Sequence, residues 1–451
     1  MKILIINIDN PHRSLYVGAV AALLKKKFPK AELTAFVTAG NEVLETTGVF
    51  ARLHFFHAEA FFARTSACSN EEIHDQLRAA IAPIQDVHWD EVVNLSSNVL
   101  APLLINFLSS RAVLGGSLDK KFSELQFSDD PSFHLARAGD DLSSYFHFSY
   151  LHRAILKLTE DAPVASAWRA DLRAELAGFT ENLRHTSGKR TVVLIDAGLA
   201  RADAPVAVAF VTDLYRRFHG GPHLPVLLSD VVLDEHPLLR GLREAVGEVH
   251  VLRTDNRAKL SALAMADLLI TDDLHRKAIA DLGKVPSILL TRTLNLSDFS
   301  VVRGSVQLVS SERTVELSRA AVAAADTLLT ERHPRVDDFC CDVYVTEIHE
   351  HVPFLVPLRG ASAAHAQWWL GLRFFASLRG VRLPDIPLSP GHYRTAIAAE
   401  RENWRRDSKY GILKTALDLS RANVRRSSAL KPLDAAQAIE AFIVDEERRL
   451  S

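Results

Sequence analysis

Two segments far apart in the chain carry the same signal, and together they restrict the fold more than anything else in the sequence. Met1-Lys2-Ile3-Leu4-Ile5-Ile6 reads as a short apolar strand that opens into a polar loop, Asn7 to Ser14, and then into a helix running to Lys27. Ala266-Asp267-Leu268-Leu269-Ile270-Thr271-Asp272-Asp273 repeats the design: a helix end, a buried strand, an acidic loop and a further helix. Each unit sets a polar loop at the carboxyl end of a strand, the place where open α/β sheets bind ligands. The pattern predicts two Rossmann-like α/β domains facing a shared cleft.

The intervening sequence supports that architecture. Apolar runs at Ile3–Ile6, Leu33–Val37, Leu53–Phe56, Val92–Leu95 and Ala112–Gly115 read as strands, with helical spacing over 15–27 and 98–110. Parallel strands need such crossovers, so a doubly wound sheet is the economical reading. Ser123 to Ser144, polar and weakly periodic, reads as a loop or insertion near the cleft, with helical pattern resuming over Tyr145–Leu158. A second series of strands follows: Thr191–Ile195, Leu224–Leu228, Val249–Leu252, Leu268–Ile270, Ser287–Leu290 and Ser305–Val309. A helix is expected over Leu274–Leu282, with Gly283 as its stop. The expected organisation is a first domain over 1–185, a linker near Ser187-Gly188-Lys189-Arg190, and a second domain over 190–334. A mainly helical extension over 335–451, able to pack back on the first domain, completes it; Phe339–Val356 holds one strand and Ala363–Leu378 an aromatic helix.

Bulk properties exclude several classes. With 451 residues the chain can bury more than one core. At 48% hydrophobic and 24% charged it has an ordinary globular composition. A formal net charge of −2 gives no global electrostatic case for nucleic acid. The three cysteines, Cys68, Cys340 and Cys341, do not make a disulfide framework and fit a reducing cytoplasm. The opening apolar run is too short for a signal peptide or a membrane span.

Chemistry concentrates in the two loops. Asp9, His12, Arg13 and Ser14 stand before a helix N-terminus, where unpaired N–H groups and the dipole favour an anion. Without glycine this is neither a dinucleotide fingerprint nor a phosphate loop. Asp9 or His12 could act as general base, while Asp9 and Ser14 could equally be caps. In the second loop, Thr271-Asp272-Asp273-Leu274-His275-Arg276-Lys277, a cap explains one carboxylate. Arg276 and Lys277 oppose the helix dipole, and a bound diphosphate would offset that, so the loop reads as an anion site.

Those residues carry a resemblance. Met1–Lys25 with Phe28-Pro29 resembles the opening of the heptosyltransferase-like glycosyltransferases (family 9 type, GT-B architecture), inverting enzymes with two Rossmann-like domains. Trp89-Asp90-Glu91-Val92-Val93-Asn94-Leu95-Ser96-Ser97-Asn98 resembles a second hallmark of the family, and Ala266 to Gly283 a third, an Asp-Ser/Thr-Gly-x-x-His turn before a helix. The likeness spans about residues 1–330 and rests on order and spacing. His12 and Arg13 stand where the family has Gly-Asp, so the resemblance implies Asp9 or His12 as base. Arg13, Ser14 and Asn98 become acceptor or phosphate contacts. Asp272 matches the family's Asp, whereas Asp273, Leu274 and Lys277 replace its Ser/Thr, Gly and His. The resemblance further implies Gly198, Arg201, Glu235, Asp272, Asp273, His275, Lys277 and Arg292 on the donor side, and no metal or cofactor.

The implied reaction is a single displacement that moves a hexose or heptose from a nucleotide-sugar donor to a glycan, lipid-linked or protein acceptor. A catalytically degenerate scaffold protein and a sugar-nucleotide epimerase-like enzyme are the alternatives. Cys340-Cys341 with His349-Glu350-His351 contains metal-ligand types but lacks a chelating spacing. The basic residues Arg401, Arg405, Arg406, Lys409, Lys414, Arg421, Arg425 and Arg426 would attract an anionic membrane surface by about 1 kcal/mol per cation. Interleaved Glu400, Glu402, Asp407 and Asp418 make a solvated face the better account, so the expectation is a cytoplasmic protein with at most peripheral contact at the inner face of the membrane.

Overall fold

A computed structural model describes residues 1–65, 69–119, 125–137, 145–158, 191–200, 205–230, 236–253, 266–330, 339–409 and 435–450. The linker near Ser187–Arg190, Arg201, Glu235, and the basic residues from Lys414 to Arg426 lie outside them.

The first sheet is parallel and comprises β1 (Lys2–Asn7), β2 (Glu32–Thr38), β3 (Arg52–Phe56), β4 (Glu91–Asn94) and β5 (Val113–Leu114), in the order β3-β2-β1-β4-β5. The order reverses beside β1, so the loops after β1 and β4 part there and leave a crevice. β1 is apolar at successive positions because both of its faces are covered: Ile3 and Ile5 enter one core, Leu4 and Ile6 the other. Helix α1 (Pro11–Ser14), helix α2 (Val17–Lys27) and helix α3 (Leu100–Ile105) follow the strand ends. Gly115, at φ +97°, closes the sheet edge; a Cβ there would lie 2.2 Å from the Asn94 carbonyl oxygen.

The second sheet contains β6 (Thr191–Asp196), β7 (His223–Ser229), β8 (Val251–Arg253), β9 (Leu268–Thr271), β10 (Ser287–Thr291), β11 (Val306–Val309), β12 (Asp342–His349) and β13 (Val352–Arg359). Its order is β8-β7-β6-β9-β10-β11-β12-β13, with β12 and β13 antiparallel. The same face rule holds in β6, where Val193 and Ile195 join one core and Val192 and Leu194 the other. Helix α4 (Phe148–Ile155) belongs to the first half of the chain and helix α5 (Leu274–Leu282) follows β9.

Two expectations are corrected here. Phe339–Val356 forms most of a two-stranded hairpin rather than one strand, and this hairpin carries the second sheet past residue 334. The alternation that marks a half-exposed strand is weak in it because the pair is covered by helix α6 (Ala363–Leu378). Part of 123–144 is also regular: Leu125–Phe127 pairs with Gly116–Leu118, and Asp130–Arg137 is helical.

The core that lies under Ile3 and Ile5 is continuous with Leu194, Leu269, Trp368 and Trp369. It therefore joins both sheets and α6. Phe375 of α6 lies 4.6 Å from His134 and 5.3 Å from Tyr145, ring centre to ring centre, and Trp368 lies 6.1 Å from Phe299. Gly371 lets α6 approach this closely, since a Cβ there would fall 1.9 Å from the Tyr145 ring. Helix α7 (Pro390–Lys409) packs beside α6, and Glu400 accepts hydrogen bonds from Tyr145 and Gln367. Among the described residues no helix is long and apolar enough to cross a membrane.

Candidate functional site

The loops after β1 and β4 are sewn together. Ile8 N–H donates to Ser96 Oγ at 3.0 Å, and Asn98 Nδ2 donates to Ile8 O at 3.2 Å. Asp9 is fixed at their junction: both carboxylate oxygens accept from Ser97 N–H at 2.9 Å, and Oδ1 accepts from Asn98 Nδ2 at 2.8 Å. Only 7% of Asp9 is exposed. Burial raises its pKa against these donors and against Arg13, which lower it. Asn98 is itself held, because its Oδ1 accepts from Ala101 N–H at 3.1 Å. Asp9, Ser97 and Asn98 form the floor of a cleft of about 910 Å³, walled by Thr38, Gly40, Phe56, Phe62, Val99 and Leu103 among others. A buried carboxylate with a raised pKa, facing an open cleft, is suited to take a proton from a hydroxyl.

The rest of the first loop is occupied otherwise. Arg13 Nε and a terminal guanidinium nitrogen donate to the two oxygens of Asp298, each at 2.9 Å, and the guanidinium lies 4.0 Å over the Phe148 ring. His12 Nε2 is 3.3 Å from Asp298 Oδ1. Burial pushes the Asp298 carboxyl up, but His12 and Arg13 overcome it and hold the group well below the usual carboxylate range. Ser14 Oγ donates to Asn7 O at 2.6 Å and is fully buried, so it latches α1 to β1. It caps nothing, since Asn10 is the N-cap residue of α1. Arg13 thus links the two domains while also lining the Asp9 cleft, and Ser14 is a local latch.

On the second domain Asp273 is the N-cap of α5 and accepts from the N–H groups of His275 and Arg276 at 2.8 and 3.1 Å. Those N–H groups are the ones an anion at this helix end would use. Arg276 is buried among carboxylates: it pairs with Asp196 and, at 2.8 Å, with Asp230. Burial works against its charge, and Asp196 and Asp230 more than restore it. Gly198 N–H donates to Asp196 Oδ1 at 2.6 Å in the turn after β6. His275 Nε2 lies 3.2 Å from Asn41 Oδ1 of the first domain.

Lys277 departs most from expectation. It is fully buried, and its ammonium donates to the Tyr16 hydroxyl at 2.8 Å and to Phe299 O at 3.1 Å, with Asp281 Oδ2 at 3.3 Å. Tyr16 in turn donates to Asp281 Oδ2 at 2.6 Å. Its charge is thus enclosed by Asp281 one turn along the same helix, by Phe299 and by Tyr16 of the first domain. Asp272 is exposed and pairs with Arg313 at 2.9 Å. Exposed Arg292 follows β10, near enough to Arg313 to lower its pKa, although burial is the larger cause. Arg313 was absent from the sequence expectation, yet it obeys the same rule, standing just past the end of β11. Asp298 had no such signal, because its partners His12 and Arg13 lie in the first domain; Asp281 stands one turn from Lys277 on the same helix, a spacing the sequence does show. Among the described residues no group of three His, Cys, Asp or Glu side chains could hold a metal ion.

The arrangement as a whole has solved counterparts. A glycosyl transferase family 9 structure from Veillonella parvula superposes with a TM-score of 0.52 at 13% identity, over 73% of this chain and 97% of the other. Escherichia coli heptosyltransferase WaaC with ADP-2-deoxy-2-fluoro heptose gives 0.50 at 13% identity, over 73% and 99%. The same enzyme with ADP gives 0.50 at 12%, over 71% and 99%. The fold is that of the heptosyltransferase-like GT-B glycosyltransferases. No protein-family profile and no curated protein sequence matches the chain. Within this GT-B frame, the Asp9 cleft lies on the first-domain side, and Asp272, Arg292 and Arg313 gather at strand ends of the second.

Proposed function

We propose that the protein transfers a sugar from a nucleotide-activated donor to a hydroxyl-bearing acceptor by a single inverting displacement, with Asp9 as the base. The observation that carries this reading is the Asp9 carboxylate itself, buried at a cleft floor and held by Ser97 and Asn98. In this scheme the acceptor hydroxyl gives its proton to Asp9, its oxygen bonds the anomeric carbon, and the bond from that carbon to the nucleoside diphosphate breaks. Arg292 and Arg313 supply positive charge toward the leaving group, in the manner of preorganised electrostatic stabilisation. No metal or cofactor is assigned to the step, and the acceptor is a glycan, a lipid-linked sugar or a protein. Arg201 and Glu235 remain donor-side candidates by family resemblance alone. The test is product formation from a panel of nucleotide sugars and acceptors with the wild type and Asp9→Asn. The variant should lose at least a hundredfold in turnover while retaining donor affinity; full turnover would remove Asp9 from the role. Conversion of the donor with no acceptor present would instead mark an epimerase.

A second reading, a nucleotide-sugar binding protein without turnover, is supported by the cap of α5. Asp273 places a carboxylate on the N–H groups that a diphosphate would use. Donor affinity with no transfer to any acceptor would identify it.

A further inference from the structure

The chemistry of the cleft walls differs sharply from that of its floor. Phe56, Val99, Leu100 and Leu103 line the same cleft as Asp9, as does Phe62 from helix Ala58–Thr65, in which no residue is buried. Phe62 is 57% exposed and Val99 64% exposed, large apolar groups left in water at the mouth of a pocket. Exposed apolar surface around a cavity marks a place where a ligand's own apolar surface is received. The charges of the lining are unbalanced in one direction. Asp9 and Glu59 contribute two carboxylates; against them stand Arg13, already held by Asp298 through two hydrogen bonds at 2.9 Å, and the imidazole of His57.

We infer that this cleft selects an uncharged, hydroxyl-bearing acceptor with an apolar face, such as an aryl glycoside or a neutral sugar presented on an apolar group, and excludes acidic sugars. This deepens the transferase reading and rests on it for the word acceptor. The hydroxyl meets Asp9, and the apolar face lies against Phe62 and Val99, where aromatic and aliphatic carbons replace water. A carboxylate or phosphate on the ligand would be desolvated beside Asp9 and Glu59, with Arg13 engaged by Asp298 and His57 the remaining basic side chain of the lining, which opposes binding.

The experiment compares phenyl β-D-glucopyranoside with phenyl β-D-glucuronide, which differ by one carboxylate, as ligands of the full chain by calorimetry without donor. The glucoside should bind at least tenfold more tightly. Phe62→Ser and Val99→Ser should each weaken it threefold or more with unchanged Tm, since neither side chain is buried. Glu59→Gln should narrow the preference. Equal or tighter binding of the glucuronide, binding of neither at millimolar concentration, or indifference to both serine variants would overturn the inference. Because donor is omitted, the two readings fail separately. Glucoside selectivity without transfer from any nucleotide sugar removes the transferase and leaves the ligand class standing. Transfer onto acidic sugars alone does the reverse.

Discussion

Asp298→Asn tests whether the domains are joined by the ion pair that the structure places between them. The substitution preserves size and leaves one oxygen to accept from Ser297, but it strips the counter-charge from Arg13, which is 6% exposed. A buried charge left without its partner costs about 3–5 kcal/mol. That is a large fraction of the about 5–15 kcal/mol that stabilises a typical domain. Arg13 keeps the Phe148 face, 4.0 Å away, which recovers part of the loss. The assay is urea unfolding of wild type, Arg13→Met, Asp298→Asn and the double variant, followed by tryptophan fluorescence and far-UV circular dichroism. The double variant should lose much less than the sum of the singles, with a coupling of about 2 kcal/mol or more. The pH dependence has a fixed sign: Asp298 is depressed in the folded state, so its contribution is complete above the ordinary carboxylate pKa. It is lost only as pH falls below about 4 toward the folded value. A loss under about 1 kcal/mol for Asp298→Asn, or additive singles, would refute the reasoning.

Three further outcomes follow from the same geometry. Lys277→Met should lower stability by about 3–5 kcal/mol by removing the counter-charge of buried Asp281, while nucleotide affinity measured on the folded protein stays unchanged; a selective loss of affinity would return Lys277 to the donor site. Asp273→Asn keeps a cap on α5 but removes its negative charge, so nucleoside diphosphate affinity should rise several-fold by calorimetry; a fall would mean that Asp273 itself binds the donor. His152 and His365 are buried, with pKa values pushed down to about 3 and about 4. The folded chain therefore stays neutral there while the unfolded chain binds protons below pH 6.5, and each histidine withdraws about 2 kcal/mol between pH 7 and 5. Raised groups such as Asp9 act with the opposite sign, so the check is differential: His152→Gln should flatten the urea midpoint against pH, and an unchanged slope would contradict it.

The two sheets were legible because strands buried on both faces are written as unbroken apolar runs, as in Ile3–Ile6 and Leu268–Ile270, and helix Leu274–Leu282 because its period and its Asp cap coincide. The hairpin at 342–359 was less so, since Pro353 and Pro357 interrupt the pattern and its two positive-φ turn residues are Glu350 and His351 rather than glycine. In the site, Asp9 and Asn98 were visible as polar residues just past strand ends, and the structure brings them within 2.8 Å. The roles of Arg13 and Lys277 were not. Local sequence says that a cation follows a strand, but that Arg13 meets a carboxylate depends on Asp298, which only domain packing sets against it; Lys277 has Asp281 one turn along its own helix, and what the sequence does not show is that Tyr16 of the first domain closes over that pair.

The most direct measurement is calorimetric titration of the full chain with ADP, UDP, GDP and CDP and the corresponding sugar conjugates, confirmed by thermal shift. The account predicts a clear preference for one nucleotide, with about 2.7 kcal/mol of added stability at a hundredfold excess over its Kd. Binding of none of them at millimolar concentration would contradict a nucleotide-sugar donor and leave only the GT-B fold.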